Sequence, residues 1–398
     1  MKEKRALMLF LLTLSAGLHA TEPVNTTTSH AQRLPDMMVN DQGIGLLTWT
    51  SYDQDGSSNG IVGRWIDSNG LLLTPEQILN TGTQGNQTEP SVAVNDQGIA
   101  LIAWQGPWNN LDDQNIIGCL VLNDGSLLTS DVLISTQNTG DQILPMVCAS
   151  DQHFCILWED KEYNNAKQTI NARYVTPSGE GIKAQQSISD TPKYACRFPS
   201  AAMDTEGRMV AVWLEDRTTN AIRARRFDSD GSPLGASFQI NAEPFKSVTC
   251  PSVALFQDGG FVVTWDGDPN LASQDAVRVR WFAPNNTPLS DEVVVHANPQ
   301  APQRNPVVST NTNGSCIIAW ESLESDSDLK TDIWKQCFTP DMHPIGSPGL
   351  LNTEVADDQD EVRIFLNANH QFLAVWTSDN HDGSDKGIFM MTGSCDIP

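Results

Sequence analysis

Three short polar stretches combine alternating aspartates with a glycine or serine, a pattern in which carboxylates can gather around a calcium ion. They are Asp53–Ser57, residues 322–328 with Glu324, Asp326 and Asp328, and Asp379–Asp385. None has the full helix-flanked calcium loop, and carboxylate-rich loops are often only solvated. Calcium binding is therefore one of two interpretations of these loops, and solvation alone is the other. The candidate calcium ligands are Asp53 and Asp55, or Asp379, Asp382 and Asp385.

One aromatic residue lies in a polar loop outside any regular pattern. Trp108 occurs in the stretch Gln105-Gly-Pro-Trp-Asn-Asn110. An exposed indole beside amide and carboxylate side chains could stack on a sugar, whereas packing against its own loop is the alternative. Trp108, Asp53, Asp55, Asp379 and Asp382 are accordingly the candidate ligand-binding residues.

No catalytic motif stands out. The histidines after residue 20 show no His-x-His, His-x-x-x-His or Glu-flanked spacing of a metal site. The string Arg197-Phe-Pro-Ser200 only weakly resembles the arginine motif of sialidases, and Gly98 precedes Trp104 by too many residues for their aspartate motif. Carboxylate chemistry remains open, because a glycosidase needs two acids brought together by the fold, which a sequence does not reveal.

The charge of the chain excludes two kinds of partner. Aspartate and glutamate number 49 against 24 lysines and arginines, for a net charge of −25. Such a surface repels nucleic-acid phosphates and anionic membranes. We expect a protein or glycan ligand, no nucleic acid, no stable membrane insertion and a monomer.

The first twenty residues predict export. Lys2, Lys4 and Arg5 precede a short apolar run that ends at Leu18-His19-Ala20. A basic start, a short apolar stretch and a small residue are typical of a secretory signal peptide cleaved after Ala20. A transmembrane anchor is the alternative, but the run is short for a bilayer. The protein is expected to be secreted, periplasmic or on the cell surface.

Eight cysteines in an exported chain predict disulfides. Cys148 and Cys155 flank a tight turn symmetrically, Cys316 and Cys337 face each other if Trp320 lies near Ile333 on the next strand, and Cys196 and Cys250 lie near corresponding points of successive units. Cys119 and Cys395 have no evident partner.

An internal repeat of about 55 residues dominates the chain. A tryptophan closes the same kind of apolar run seven times, at Trp49, Trp104, Trp158, Trp213, Trp265, Trp320 and Trp376. In five units a proline precedes it by fourteen residues; it is displaced by one at Pro145 and replaced by Val362 in the last unit. Residues that recur in most units serve the scaffold, so these tryptophans predict a buried core.

Each unit reads as four short strands separated by Gly, Asn and Asp turns. The units span about 34–81, 89–136, 143–190, 198–242, 250–297, 305–353 and 361–392. Four antiparallel strands per unit predict an all-β, seven-bladed β-propeller in a single domain covering residues 21–398. The seventh unit lacks a fourth strand, and residues 21–26 resemble one, so the N-terminal strand is expected to complete the last blade. An open arc is the alternative.

The units resemble propeller-blade repeats of large bacterial secreted and surface proteins. The likeness is carried by Phe261-Val-Val-Thr-Trp265 and by the stretch from Ile222-Arg-Ala-Arg-Arg-Phe-Asp-Ser-Asp-Gly231 to Asn241. It implies architecture and an extracytoplasmic setting, and it brings no catalytic residues with it.

Two functions follow as expectations. The favoured one is a binding or interaction module for a protein or glycan, which uses the divergent loops on one face, because loops on a rigid scaffold commonly carry function. The alternative is a carboxylate-based glycosidase or lyase that acts on a polysaccharide at the mouth of the central channel. No cofactor is expected beyond calcium.

Overall fold

The structure is a computed structural model that describes most of the chain after the proposed signal peptide. The described residues are 21–108, 113–136, 140–161, 168–190, 193–242, 245, 247–248, 250–268, 275–296, 301–323, 330–383 and 385–395. The predicted signal peptide, residues 1–20, and the acidic residues Glu324, Asp326 and Asp328 lie outside them.

The described chain consists of strands and turns, arranged in seven antiparallel sheets. The strands are β1 (Glu22–Pro23), β2 (Gln32–Val39), β3 (Ile44–Tyr52), β4 (Asn59–Asp67), β5 (Gln77–Ile78), β6 (Thr88–Val94), β7 (Ile99–Pro107), β8 (Gln114–Leu122), β9 (Val132–Leu133), β10 (Asp141–Ala149), β11 (Phe154–Lys161), β12 (Gln168–Val175), β13 (Gln186–Ser187), β14 (Ala195–Met203), β15 (Met209–Asp216), β16 (Ala221–Phe227), β17 (Phe238–Gln239), β18 (Ser247–Val248), β19 (Ser252–Leu255), β20 (Phe261–Asp268), β21 (Ala276–Phe282), β22 (Val293–Val294), β23 (Gln303–Thr310), β24 (Cys316–Ser322), β25 (Asp332–Phe338), β26 (Pro344–Leu350), β27 (Gln359–Leu366), β28 (Gln371–Asp379) and β29 (Lys386–Ser394).

The sheets form a seven-bladed β-propeller, as the repeat predicts. The first strand of every blade is innermost, and neighbouring first strands contact one another around the ring, including β27 with β2. Successive strands are antiparallel, so the loops between second and third strands share one side of the disc with the blade-to-blade connectors. We call this side the loop face.

The N-terminal strand closes the ring, as predicted. Glu22 pairs with Met390 and Pro23 with Phe389, so β1 is the fourth strand of the last blade. The amide of Val24 donates to Ile388 O at 2.8 Å, and the amide of Ile388 donates to Asn25 Oδ1 at 2.7 Å. Closure removes the free sheet edges that an open array would expose.

All seven recurring tryptophans, here called the core tryptophans, are fully buried between blades. A glutamine at the start of the inner strand serves the same junction. Gln32 Oε1 accepts the indole N–H of Trp49 at 3.0 Å, and Gln359 does the same for Trp376 at 2.9 Å. The glutamine amide also donates to a connector carbonyl, as Gln87 does to Gln84 at 2.7 Å.

A recurring arginine on the third strand joins neighbouring blades. Nη1 of Arg64, Arg173 and Arg280 donates to the carbonyl directly after the fourth strand of the preceding blade at 2.8–2.9 Å. Arg225 makes the corresponding bond to Ile188 O at 3.1 Å. These contacts account for the recurrence without an anion site.

The disulfide pattern differs from the one predicted. The structure contains a Cys337–Cys395 bond, while Cys119, Cys148, Cys155, Cys196, Cys250 and Cys316 are free thiols. The prediction for Cys316 and Cys337 was wrong because Trp320 pairs with Trp334, one residue beyond the assumed register, which places Phe338 opposite Cys316.

The other two predicted bridges are also absent from this structure. Cys148 and Cys155 do lie directly opposite each other, but the Cys148 thiol donates to Cys155 O at 3.8 Å instead of bonding its sulfur. Bridges between directly opposed strand residues are prone to strain. Cys196 and Cys250 are both free thiols and occupy different positions of their repeats, since Cys196 lies two residues before Phe198 and Cys250 corresponds to Phe198.

Within the described ranges, no helix combines the length and apolarity needed to cross a bilayer.

Candidate functional site

Every inner strand carries an irregularity where it enters the sheet from the loop face. The pairing between the first and second strands shifts register close to the core tryptophan. The shift lies between Arg33 and Asp36 in blade 1 and between Asp360 and Arg363 in blade 7. Such bulges redirect a side chain out of the regular alternation. The bulge residues of the seven blades are Leu34, Glu89, Leu144, Phe198, Cys250, Asn305 and Glu361.

Six bulge residues have a left-handed backbone, with φ from 51° to 61°; Cys250 is the exception. A non-glycine residue in this region is uncommon and costs conformational energy. Because the conformation recurs around the ring, it belongs to the scaffold. What changes from blade to blade is only the side chain, and therefore the chemistry presented at the channel mouth.

At several junctions a side chain from the preceding blade accepts the amide of the bulge residue and holds the bulge in place. The amide of Leu144 donates to Gln105 Oε1 at 2.9 Å, that of Phe198 to Glu159 Oε1 at 2.6 Å, and that of Glu361 to Glu321 Oε1 at 2.8 Å. Each acceptor directly follows a core tryptophan. Glu159 and Glu321 therefore have a structural role as blade-to-blade ties.

Burial is the largest influence on the pKa values of the two acidic ties, Glu159 and Glu321. Burial raises the pKa of Glu321 to about 7, against bonds from the Glu361 amide and Asn305 that lower it. Burial also raises the pKa of Glu159, although the bond from Phe198 lowers it. On the inner strand, burial and then the charge of Glu361 raise the pKa of Asp360 to about 6, with Lys386 opposing them.

The junction between blades 7 and 1 departs from this pattern. Thr377 follows the core tryptophan Trp376 there and is too short to reach the next bulge. Glu361 replaces it: its Oε2 accepts the Leu34 amide and the Thr377 hydroxyl, each at 2.6 Å. The two donors fix the orientation of the carboxylate and leave Oε1 outside these bonds.

Two residues after each bulge residue lies a residue that we call the ring residue, and at several junctions its side chain ties one inner strand to the next. The serines among them each accept an amide of the following blade: Ser91 from Val147 at 3.0 Å, Ser200 from Val253 and Ser252 from Val308, both at 3.3 Å. The full set of ring residues is Asp36, Ser91, Met146, Ser200, Ser252, Val307 and Arg363.

A charged pair replaces the serines where the ring closes. Asp36 Oδ2 accepts the Val92 amide at 2.9 Å, and Asp36 Oδ1 accepts Arg363 Nε at 2.8 Å. The Arg363 side chain is 41% exposed although it stands on an innermost strand. Solvent therefore reaches it through the central channel. Burial lowers the pKa of Arg363, but Asp36, Glu361 and Glu89 together raise it.

Glu89 is the second acid of this mouth. It is the bulge residue of blade 2 and is half-buried. Burial, followed by the negative charge of Glu361, raises its pKa, while Arg363 and Arg33 act in the opposite direction. Glu89, Glu361 and Arg363, here called the Glu89 cluster, thus interact electrostatically across blades 2 and 7.

Charged groups of several blades act on Cys250, the bulge residue of blade 5. Burial raises the pKa of its thiol to about 12; the charges of Asp266, Glu159 and Glu321 raise it further, and the charge of Arg363 lowers it. These four charged groups belong to blades 5, 3, 6 and 7.

The arrangement suits acid–base chemistry. Burial and the charge of Glu361 raise the pKa of Glu89, while Oε2 of Glu361 is anchored by two donors and the carboxylate lies beside the Arg363 guanidinium. Two carboxyl groups in unequal environments are the pattern from which an acid and a base can be assigned.

Two of the predicted ligand-binding aspartates occupy one equivalent position and support the hairpins. Asn80 Nδ2 donates to Asp55 Oδ2 and Asn25 Nδ2 to Asp382 Oδ2, both at 2.8 Å. A β-carbon on Gly60 would lie 2.7 Å from Asp55, and one on Gly387 would lie 2.6 Å from Asp382, so each glycine leaves room for its aspartate. In blades 1 and 7, the acidic loop is thus attached in the same way to the segment that follows the fourth strand.

The remaining predicted residues are scattered. Asp379 pairs with Lys386 at 3.1 Å, and Asp385 O accepts the Asn380 amide at 3.0 Å. Asp53 is exposed, and Trp108 is half-buried against the core between blades 1 and 2. Among the described residues, no group of three His, Cys, Asp or Glu side chains is placed to hold a metal ion. Calcium binding at these loops stays a prediction.

Sequence reasoning missed the Glu89 cluster. One signal was available in the sequence. Glu89 and Glu361 both directly precede the position of the recurring proline, at the start of their units. Only the structure reveals that this position is a bulge facing the channel.

At the level of sequence, no protein-family model and no curated protein matches this chain. Solved structures share its fold. An ulvan lyase bound to a GlcA(1-4)Rha3S repeat has a TM-score of 0.55 at 10% identity, with 96% of each chain covered. The α-L-arabinanase of Penicillium chrysogenum, in complex with arabinobiose, has 0.50 at 10% identity, covering 77% of this chain and 92% of its own.

A protein of unknown function from Dyadobacter fermentans is similar as well, with a TM-score of 0.51 at 10% identity over 94% of this chain and 98% of its own. At such identities the likeness shows the fold alone.

Proposed function

We propose that this protein is an extracytoplasmic glycan-acting enzyme that hydrolyses glycosidic bonds at the loop-face mouth of the central channel. The observation that carries the proposal is the Glu89 cluster. Glycoside hydrolysis requires a protonated acid for the leaving oxygen and an ionised carboxylate on the other side of the bond. In this assignment Glu89 is the general acid and Glu361 the base or nucleophile.

The charge of the site favours hydrolysis over elimination. A lyase acts on uronates and must neutralise their carboxylates, but Arg363 is already paired with Asp36. The net charge of −25 makes the protein attract neutral sugars better than polyanions.

Two further points support the glycan-acting assignment over the binding module expected first. The ulvan lyase and the arabinanase act on polysaccharides with the same architecture. Asp55 and Asp382, two of the aspartates expected to bind a ligand, already have a structural role, because each accepts a hydrogen bond from an asparagine of its own blade. The disulfide between Cys337 and Cys395 suits an oxidising, extracytoplasmic compartment.

The test is a hydrolysis screen of the purified chain on soluble arabinan, xylan, galactan, β-glucan and ulvan. Reducing ends should appear from at least one neutral polymer, and Glu89→Gln should lower kcat by about 10²–10⁴-fold, the usual contribution of a general acid. Ser200→Ala is the matched control in the same ring and should keep full activity.

Three results would overturn the proposal. They are no product from any polymer, an unsaturated product from ulvan in place of new reducing ends from a neutral polymer, or a Glu89→Gln variant as active as the wild type. Circular dichroism of each variant checks that folding is intact.

A further inference from the structure

An exposed aromatic pair stands on the loop face at the blade that adjoins the Glu89 cluster. The third residue after the core tryptophan is Tyr52 in blade 1, with 47% of its surface exposed. The corresponding residues in the other blades are Pro107, Lys161, Asp216, Asp268, Leu323 and Asp379. The aromatic ring is therefore a departure from the repeat and meets no requirement that all blades share.

His30 contacts Tyr52 from the preceding connector. The ring centroids are 5.5 Å apart and the planes are 64° apart, an edge-to-face contact. In this geometry one ring covers at most one face of the other. At least one face of Tyr52 is therefore not covered by His30.

His30 has a left-handed backbone, with φ of 69°. The corresponding residues of blades 2, 3 and 7 share this conformation: Gly85 at 82°, Gly140 at 90° and Asp357 at 62°. The conformation therefore belongs to the connector, and what blade 1 adds is the imidazole ring that contacts Tyr52.

Asp53 adds a polar group beside the ring. It follows Tyr52 directly, is exposed, and has φ of 60°. Its amide donates to Ser58 O, which closes the hairpin. Within the part of the chain that the structure describes, its carboxylate makes no hydrogen bond or ion pair. An ionised carboxylate accepts hydrogen bonds through both oxygens and so can receive two hydroxyl groups.

The aromatic pair is within reach of the catalytic acids. The amide of Tyr52 donates to Ala31 O at 3.1 Å, and the amide of Leu34, three residues further, donates to Glu361 Oε2 at 2.6 Å. Three residues of fully extended chain span about 10 Å, which is an upper bound here because the bulge at Leu34 shortens the path. A polysaccharide that is cleaved at the Glu89 cluster would pass over Tyr52 a short distance along its length.

We propose that Tyr52, His30 and Asp53 form an accessory subsite that holds a neutral sugar unit of the polymer. This inference rests on the proposed function, which makes a polysaccharide the substrate, and it adds that the polysaccharide contains neutral sugars. The apolar C–H face of the sugar stacks on Tyr52, His30 holds the tyrosine ring by its edge contact, and Asp53 accepts hydroxyl groups. A uronic acid or sulfated sugar is disfavoured there because Asp53 would repel its charge.

Affinity electrophoresis tests the subsite independently of catalysis. The Glu89→Gln variant is run in gels with and without the neutral polymer that the hydrolysis screen identifies, or with each of arabinan, xylan, galactan and β-glucan if none is cleaved. Adding Tyr52→Ala should weaken retardation about 3- to 10-fold, as expected for one lost aromatic contact. Tyr52→Phe should retain it, and Asp53→Asn should weaken it less than Tyr52→Ala.

The matched control is Leu234→Ala, which removes a side chain 58% exposed in a hairpin on the opposite side of the disc and should change nothing. In the active enzyme, Tyr52→Ala should raise KM for the polymer and leave kcat and the hydrolysis of a short oligosaccharide unchanged. Equal retardation of the Tyr52→Ala and Tyr52→Phe variants overturns the subsite.

The two proposals fail in different ways. If Glu89→Gln proves fully active while Tyr52→Ala loses retardation, the catalytic assignment falls and the subsite stands. If Glu89→Gln is inactive while Tyr52→Ala matches the wild type in KM and retardation, the subsite falls alone.

Discussion

Two parts of the channel wall accept backbone amides of the next blade with different side chains. We call them the serine arc and the charged arc. In blades 2, 4 and 5 the ring residues Ser91, Ser200 and Ser252 accept one amide each from the next blade. At the closing junction Asp36 performs that task for Val92 and also binds Arg363. The serine arc needs only a small acceptor, so the charges of the other arc exceed what the scaffold requires.

The difference indicates where function resides in a repeat protein. Charged groups beside a narrow channel lose hydration, and that cost is offset only when they are paired and hydrogen-bonded. Scaffold stability alone would favour another serine. The charged arc also borders Glu89 and Glu361, the two bulge residues that are acids, so one sector of a near-symmetric ring carries the reactive groups.

The largest expected effect is on activity when the second acid of the charged arc is removed. Glu361→Gln keeps a carbonyl oxygen for the Leu34 amide and the Thr377 hydroxyl, so the bulge should stay in place. We expect kcat to fall by at least about 10²-fold because the carboxylate that acts as base or nucleophile is lost. Steady-state kinetics on the polymer identified by the hydrolysis screen measures it.

The residual activity of this variant also reports on Glu89. Burial and Glu361 raise the pKa of Glu89, so removing Glu361 should lower it and move the alkaline limb of the kcat profile to lower pH. Gln105→Ala, at a bulge tie between blades 2 and 3, is the control and should leave the limb in place. An unmoved limb in Glu361→Gln would contradict the pairing of the two acids.

The second effect concerns the covalent bond in the closing sector. Cys337–Cys395 links blade 6 to the end of blade 7 across 58 residues. A bond that closes a loop of this size constrains the unfolded chain, and Cys395→Ser should lower the free energy of unfolding by roughly 2–4 kcal/mol. Thermal unfolding with and without reductant measures this. Cys250→Ser, which removes a free thiol, should lower it less, and a wild type insensitive to reductant would contradict the role of the bond.

The fold was predictable from sequence because the repeat imposes strong local signals. A tryptophan every 52–56 residues must be buried, and the incomplete seventh unit with a strand-like N-terminus predicts closure. Register was less accessible: an error of one residue at Trp320 sufficed to misassign the partner of Cys337, because it exchanges the two faces of a strand.

The candidate site was not predictable in the same way. Its acids are far apart in sequence and meet only because the ring brings blades 2 and 7 to one mouth. The acidic loops attracted attention because their aspartates are close in sequence, yet Asp55 and Asp382 support hairpins. Proximity along the chain indicated local structure here, and departure from the repeat at an inner-strand position would have been the better guide.

The third effect is a pH dependence of stability that comes from a blade tie. The pKa of Glu321 is about 7 in the folded protein, against an ordinary value of 4.5. Between these values the folded protein binds more protons than the unfolded chain, so stability is full below about pH 4.5 and falls as the pH rises to about 7. The shift corresponds to roughly 3 kcal/mol.

Glu321→Gln should flatten that part of the profile, because a glutamine has no proton to lose and still offers a carbonyl to the Glu361 amide. Urea unfolding at several pH values in this window measures the slope. Asp360, with a pKa raised to about 6, contributes in the same direction and should leave part of the slope. A variant as steep as the wild type would show that Glu321 is ionised in the fold throughout.

The smallest effect compares the two arcs directly by converting one into the other. Asp36→Ser alone leaves Arg363 without its partner, and because Arg363 is 41% exposed the loss should be about 1 kcal/mol. Adding Arg363→Ser gives the closing junction the side chains of the serine arc and should restore most of that loss. A double-mutant cycle by urea unfolding measures the coupling. If the double variant is no more stable than Asp36→Ser alone, the charged pair holds the ring closed beyond what a serine can do, and the view that its charges exceed the scaffold's needs is wrong.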